Sequence, residues 1–168
     1  MKEYPATNLQ MIRRSRKKPL AGDIFVMQLP DSTYLFGRVM EADIREFQRT
    51  PLRGSDLVYI YDYRSQTKEP DLSQLTPDRL LIAPKFINRL GWSRGYFETV
   101  AHKPLKASDW LEQVSYWDTF RKKYIGQNSE ILPGKVEPCG VWGMGNYRHI
   151  DDLVSDALGI PRVPVEDE

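Results

Sequence analysis

Cysteine is nearly absent from this chain: Cys139 is the only one in 168 residues. No internal disulfide can form, which excludes a disulfide-stapled scaffold and fits a reducing compartment. Histidine is almost as scarce, with His102 and His149 alone. Metal-dependent hydrolases gather several imidazoles and carboxylates in one cleft, so this inventory predicts no metal and no other cofactor. No apolar run approaches the roughly 20 residues of a membrane span. The start of the chain lacks the apolar stretch of a secretory signal. A cytoplasmic protein with no membrane partner is the expectation. Excess charge of one sign is missing too. The net charge is +1, which speaks against a whole-surface nucleic-acid binder, since those carry a clearly basic balance.

What is present suffices for a single domain. A chain of this size buries about 70% of its surface on folding and needs no staple. The charge is unevenly spread. Residues 1–20 hold Lys2, Arg13, Arg14, Arg16, Lys17 and Lys18 against Glu3. Residues 151–168 hold Asp151, Asp152, Asp156, Glu166, Asp167 and Glu168 against Arg162. Charged ends are usually solvated tails, but such asymmetry also marks partner surfaces.

Residues 18–40 organise the rest. Gly22-Asp23 is a turn signal, and residues 24–29 are a short apolar run of β-formers. Pro30-Asp31-Ser32 is turn chemistry. Residues 33–40 form a second β-rich run, so the stretch predicts a hairpin. Gly37 inside the second strand implies a bulge or a close backbone approach. Arg38 shares a strand face with Tyr34, Phe36 and Met40, where a cation must snorkel out or meet an anion. Asp23 sits where a side-chain oxygen can satisfy turn N–H groups.

Further along, residues 56–63 read as a strand with Val58 and Ile60 on one face and Leu57, Tyr59, Tyr61 and Tyr63 on the other. Residues 41–55 and 64–78 read as connections, the first with one helical turn through Ile44 and Phe47. Leu80-Leu81-Ile82-Ala83 is expected to be a short buried strand, residues 84–91 irregular, and residues 95–102 a strand. Residues 110–117 match both a helical stripe and a strand; the strand is preferred. Tyr124-Ile125 and Ile131-Leu132 flank a Gly-Gln-Asn-Ser turn as a hairpin. The clearest helix is the last: Ile150, Leu153, Val154, Ala157 and Leu158 form one stripe, with Gly159 as C-terminal cap and Pro161 as stop.

The expected fold is therefore mainly β with a C-terminal helix (α+β), as a curled antiparallel sheet or SH3-like partial barrel. The expected division is an N-terminal extension at 1–17, one domain at 18–161 and a flexible acidic tail at 162–168.

Pro19, Gly22-Asp23-Ile24-Phe25, Tyr34 and Gly37-Arg38-Val39 occur in the order of the opening motif of the Immunity protein 26 family, found beside secreted bacterial polymorphic toxins. Asn88, Gly91-Trp92 and Gly95-Tyr96-Phe97 resemble its second signature. Ile150-Asp151 and Ala157-Leu158-Gly159 resemble its closing helix. The resemblance implies a bacterial immunity protein that inhibits a cognate toxin by protein–protein contact. Some family members carry a phosphotriesterase label, so a small hydrolase is the first alternative. A nucleic-acid-binding β-barrel using residues 13–18 is the second. The resemblance also implies that Gly22, Asp23, Gly37, Arg38 and Gly95 are structural motif residues.

No catalytic residue is assigned. Cys139 and the two histidines have ordinary packing explanations. Gly140, Gly143 and Gly145 precede a helix, but their spacing fits neither phosphate-binding fingerprint. Two sets of residues are candidates for partner binding. One is an acidic edge of Asp151, Asp152 and Asp156 on the last helix, continued by Glu166, Asp167 and Glu168 on the tail, suited to steering a basic partner. The other is an aromatic rim through Tyr34, Trp92 and Tyr96, residue types enriched at binding hot spots. Strands favour aromatics in any case.

Overall fold

The computed structural model describes residues 6–164. The opening hairpin joins β1 (Asp23–Gln28) to β2 (Tyr34–Glu41) in the register Ile24↔Arg38, Phe25↔Gly37 and Val26↔Phe36. Strand β3 (Asp56–Ser65) pairs antiparallel with β2, with a register shift between Leu35 and Gly37. Then follow β4 (Lys85–Ile87), a single helical turn α1 (Leu90–Ser93) and β5 (Glu98–His102). A smaller group contains β6 (Ser115–Asp118), β7 (Lys123–Ile125), β8 (Ile131–Leu132) and β9 (Cys139–Val141). Strand β10 (Met144–Gly145) and helix α2 (Tyr147–Leu158) complete the order.

The strands form a six-stranded sheet, β10-β4-β3-β2-β1-β5, and a four-stranded sheet, β8-β7-β6-β9. The fold is mostly β-sheet with a C-terminal helix, but the barrel expectation is corrected. Both sheets are open and mixed, because β10 runs parallel to β4 and β9 parallel to β6.

The larger sheet is covered on both faces, which explains why β1 is apolar without alternation. Ile24, Val26, Phe36, Tyr59, Tyr61 and Phe86 pack with Val114, Tyr116, Ile125 and Trp142 from the region of the smaller sheet. Phe25, Met27, Leu35, Val58 and Ile60 pack with Trp92, Tyr147, Ile150 and Val154 on the other side. Leu9, from the segment before the hairpin, joins this second cluster at 2% exposure. Residues 8–15 therefore lie on the domain: Gln10 bridges to Gln28, and Leu9 N–H donates to the Asp151 carboxylate at 2.8 Å.

Helix α2 forms where its stripe predicts. The Asn146 side chain accepts from Arg148 N–H at 2.9 Å, and His149 Nδ1 accepts from Asn146 N–H at 3.1 Å. Gly159 ends the helix at φ 70°, a left-handed cap that glycine adopts at no steric cost.

Two strand assignments change. Leu80 makes only an isolated bridge to Tyr61, while the strand lies at Lys85–Ile87, within the stretch expected to be irregular. Pro84 has no N–H to give a ladder, whereas the three residues after it pair with β3, and Phe86 and Ile87 pair with β10 as well. Of residues 110–117, only the end enters β6; a 3-10 turn at Ala107–Asp109 precedes it.

Candidate interaction surfaces

Gly22, Asp23 and Arg38 of the hairpin motif converge on one stretch of chain, residues 102–109. Gly22 has φ +95°, and a Cβ there would stand 2.6 Å from the Lys103 carbonyl oxygen. Lys103 N–H donates to the Gly22 carbonyl at 3.1 Å. One Asp23 oxygen accepts from Leu20 N–H at 2.9 Å, and the other lies 2.7 Å from His102 Nδ1. Arg38 is 3% exposed. Its Nη2 donates to the Lys103 carbonyl at 2.8 Å, and its Nη1 lies 3.1 Å from Asp109 Oδ1. The other Asp109 oxygen accepts from Lys106 N–H at 2.8 Å. The arginine thus buckles the connection after β5 onto the hairpin. The buried Tyr61 hydroxyl lacks a hydrogen-bond partner, and burial pushes its pKa far up.

The second signature builds a seat for the segment before the hairpin. At Gly91 a Cβ would stand 2.3 Å from the Phe97 ring. Gly95 has φ +89°, and a Cβ there would meet the backbone of Arg13 and Arg14 at 3.1 Å. Its carbonyl accepts from Ile12 N–H at 2.7 Å and from Arg13 N–H at 3.2 Å, and the Trp92 carbonyl accepts from Ser15 N–H at 3.0 Å. Residues 12–15 are therefore a strap tied down by backbone bonds.

The aromatic candidates do not form a rim. Trp92 is 2% exposed, packs edge-on against Phe25 and Phe97 with ring centres 5.1 and 5.2 Å away, and donates from Nε1 to Thr99 Oγ1 at 3.2 Å. It is a core residue. Tyr96 is half-buried and stacks on Tyr147 at 4.7 Å. Tyr34 is half-buried at the start of β2, with the Lys68 ammonium 5.9 Å from its ring centre. Tyr59 and Tyr61 are buried in the core.

The helical part of the acidic edge is also taken apart. Asp151 is 3% exposed, and its oxygens accept from Asn8 and Leu9 N–H groups. Burial raises its pKa, against the pull of those two bonds. The helical stripe alone puts Asp151 on the polar side; the docked segment turns that side inward. Asp152 and Asp156 share Arg162: its guanidinium lies 3.8 Å from Asp152 and donates to Asp156 at 2.9 Å. Glu166, Asp167 and Glu168 lie outside the described residues.

Two charged groups carried no sequence signal. Arg49 is buried against Glu41, its guanidinium 5.7 Å from the Phe86 ring centre and 5.9 Å from that of Trp142. Asp56 opens β3 and accepts from Asp43 N–H at 2.8 Å, locking the loop between β2 and β3. Burial pushes the Asp56 carboxyl up to about 6. Folding then favours its protonated form, so its contribution is greatest below the ordinary carboxylate range and is lost as pH rises through about 6. Asp56→Asn keeps the acceptor for Asp43 N–H and removes the titration. Relative to the parent, this variant is expected to gain about 1–2 kcal/mol between pH ~4.5 and ~7.5, after allowance for solvent screening. Urea midpoints at the two pH values check this; a difference that does not change with pH would refute it.

Among the described residues, no three or more His, Cys, Asp or Glu are gathered as metal ligands would be. No helix among them is long and apolar enough to cross a membrane. A family model described as Immunity protein 26 matches residues 21–125, more than half of the chain. No curated protein and no solved structure matches.

Proposed function

The chain belongs to the Immunity protein 26 family, and on that premise we propose that it protects its host by binding a cognate toxin in a stoichiometric complex. Family membership is the observation that carries this reading. The matched span includes the hairpin, β3 to β5 and the first two strands of the smaller sheet. The geometry is compatible in a specific way. The motif residues Asp23, Gly37, Arg38, Gly91 and Gly95 are spent on backbone contacts and packing, which leaves recognition to exposed side chains around them. Exposed polar side chains on a preformed backbone suit an inhibitor, because little ordering is needed when the partner arrives.

The test is co-expression with the toxin domain encoded beside this chain's gene. Survival should return, and the purified pair should elute as a complex saturating at a fixed ratio. Failure to restore survival would overturn the reading. Protection at far less than one chain per toxin would also overturn it and favour the hydrolase alternative, since only turnover acts substoichiometrically.

A further inference from the structure

We propose that the basic strap at residues 13–18 is the face on which the toxin docks, and that the toxin presents an acidic protein surface to it; this deepens the toxin-binding reading and rests on it. Arg13, Arg14, Arg16, Lys17 and Lys18 are all exposed, and the start of the segment is tied by the N–H groups of Ile12, Arg13 and Ser15 to the Gly95 and Trp92 carbonyls. Among the described residues, no carboxylate pairs with any of the five.

The contrast with the other end of the chain decides the sign. The sequence carries matching blocks of opposite charge, but the fold treats them differently. Asp151 is consumed by the Asn8 and Leu9 N–H groups, and Asp152 and Asp156 share the one cation of Arg162; the last three acids of the block lie outside the described residues. The positive charge of the strap is left for a partner. Between the strap and Asp23, Glu98 and Thr99 opens a cleft of about 260 Å³. The two acids in its wall are already engaged: Asp23 by His102 and Leu20 N–H, Glu98 by Lys68 at 3.2 Å. Lining the same cleft as the strap's cations, they make it a surface of mixed charge.

That mixture favours a protein over a nucleic acid. A polyanion threading the cleft would meet two carboxylates, whereas a protein surface can match each sign. Single strands also bind through exposed aromatic platforms, and Trp92, whose carbonyl anchors the strap, is 2% exposed and cannot stack on a base. The six residues span at most about 20 Å even if fully extended. A patch of that size suits one edge of a standard protein interface. Fixed exposed charges of this kind act mainly by steering encounter. The strap precedes the span matched by the family model, as expected of a feature specific to one toxin.

The test replaces Arg13, Arg14, Lys17 and Lys18 together by glutamine and follows association with the toxin domain encoded beside the gene. All four are exposed, so the thermal midpoint should match the parent. At ~20 mM salt, where screening is weak, association should slow at least tenfold, and most of the parent's salt dependence should disappear. Asp152→Asn with Asp156→Asn should leave the rate unchanged. Unchanged association of the strap variant, with parental binding intact, overturns the proposal while sparing the toxin-binding reading. So does slowed association of the aspartate variant alone. If the parent fails to bind the toxin at all, both fall. A single-stranded RNA of ~20 nucleotides is the second probe. Tight parental binding at physiological salt that the strap variant loses, with toxin association unaffected, would make the strap a nucleic-acid contact.

Discussion

Arg38→Ala is expected to lower the stability of the fold by about 3–5 kcal/mol, the range for breaking a buried ion pair from one side. The loss exceeds that of a missing surface bridge, because the groups left behind are buried. Asp109 is 8% exposed and loses its cation, and the Lys103 carbonyl loses a donor. Arg38→Lys should recover only part of the loss. One ammonium cannot reproduce a planar fork that meets a carboxylate with one nitrogen and a carbonyl with another. Replacing Arg38 and Asp109 together by apolar residues should cost less than the sum of the single changes, by ~1–3 kcal/mol of coupling. Urea unfolding of the parent, the Arg38 and Asp109 single variants, the double variant and Arg38→Lys measures this. If Arg38→Ala unfolds at the parental midpoint but no longer binds the toxin, the residue is a contact and not a buckle.

Gly37→Ala should destabilise by about 3 kcal/mol, the upper end for overpacking a core. A Cβ at Gly37 would stand 2.3 Å from Phe25 Cζ and 2.7 Å from both neighbouring ring carbons. The Phe25 ring cannot retreat easily. It is fully buried, with Trp92 and Phe97 each 5.1 Å away centre to centre. Shortening the ring should relieve the clash, so Gly37→Ala combined with Phe25→Leu is expected to be more stable than the two separate losses predict. Simple addition of the two losses would place the strain elsewhere, at the adjoining register shift between Leu35 and Gly37.

The sequence by itself determined the elements whose signals are local. The hairpin at β1 and β2, the alternation of Val58 and Ile60 against Leu57, Tyr59 and Tyr61, the β7–β8 hairpin and helix α2 each depend on residues a few positions apart. It also marked Gly37 as the place of a bulge or a close approach, and Arg38 as a cation that must snorkel out or meet an anion. Which groups would answer was decided only by tertiary structure. The ring over Gly37 comes from the paired strand, and the partners of Arg38 lie 65 and 71 positions along the chain. Strand β4 is too short to show a period and exists because β3 and β10 flank it. Trp92 looked like a rim residue because an aromatic side chain suits a surface hot spot and a core equally well. Asp151 looked exposed because a helical stripe locates only the apolar face. Its partners, the N–H groups of Asn8 and Leu9, are more than 140 residues away. The two charged ends read as equivalent in sequence for the same reason: charge is a property of residues, but whether it is neutralised depends on which residues the fold brings within a few ångströms.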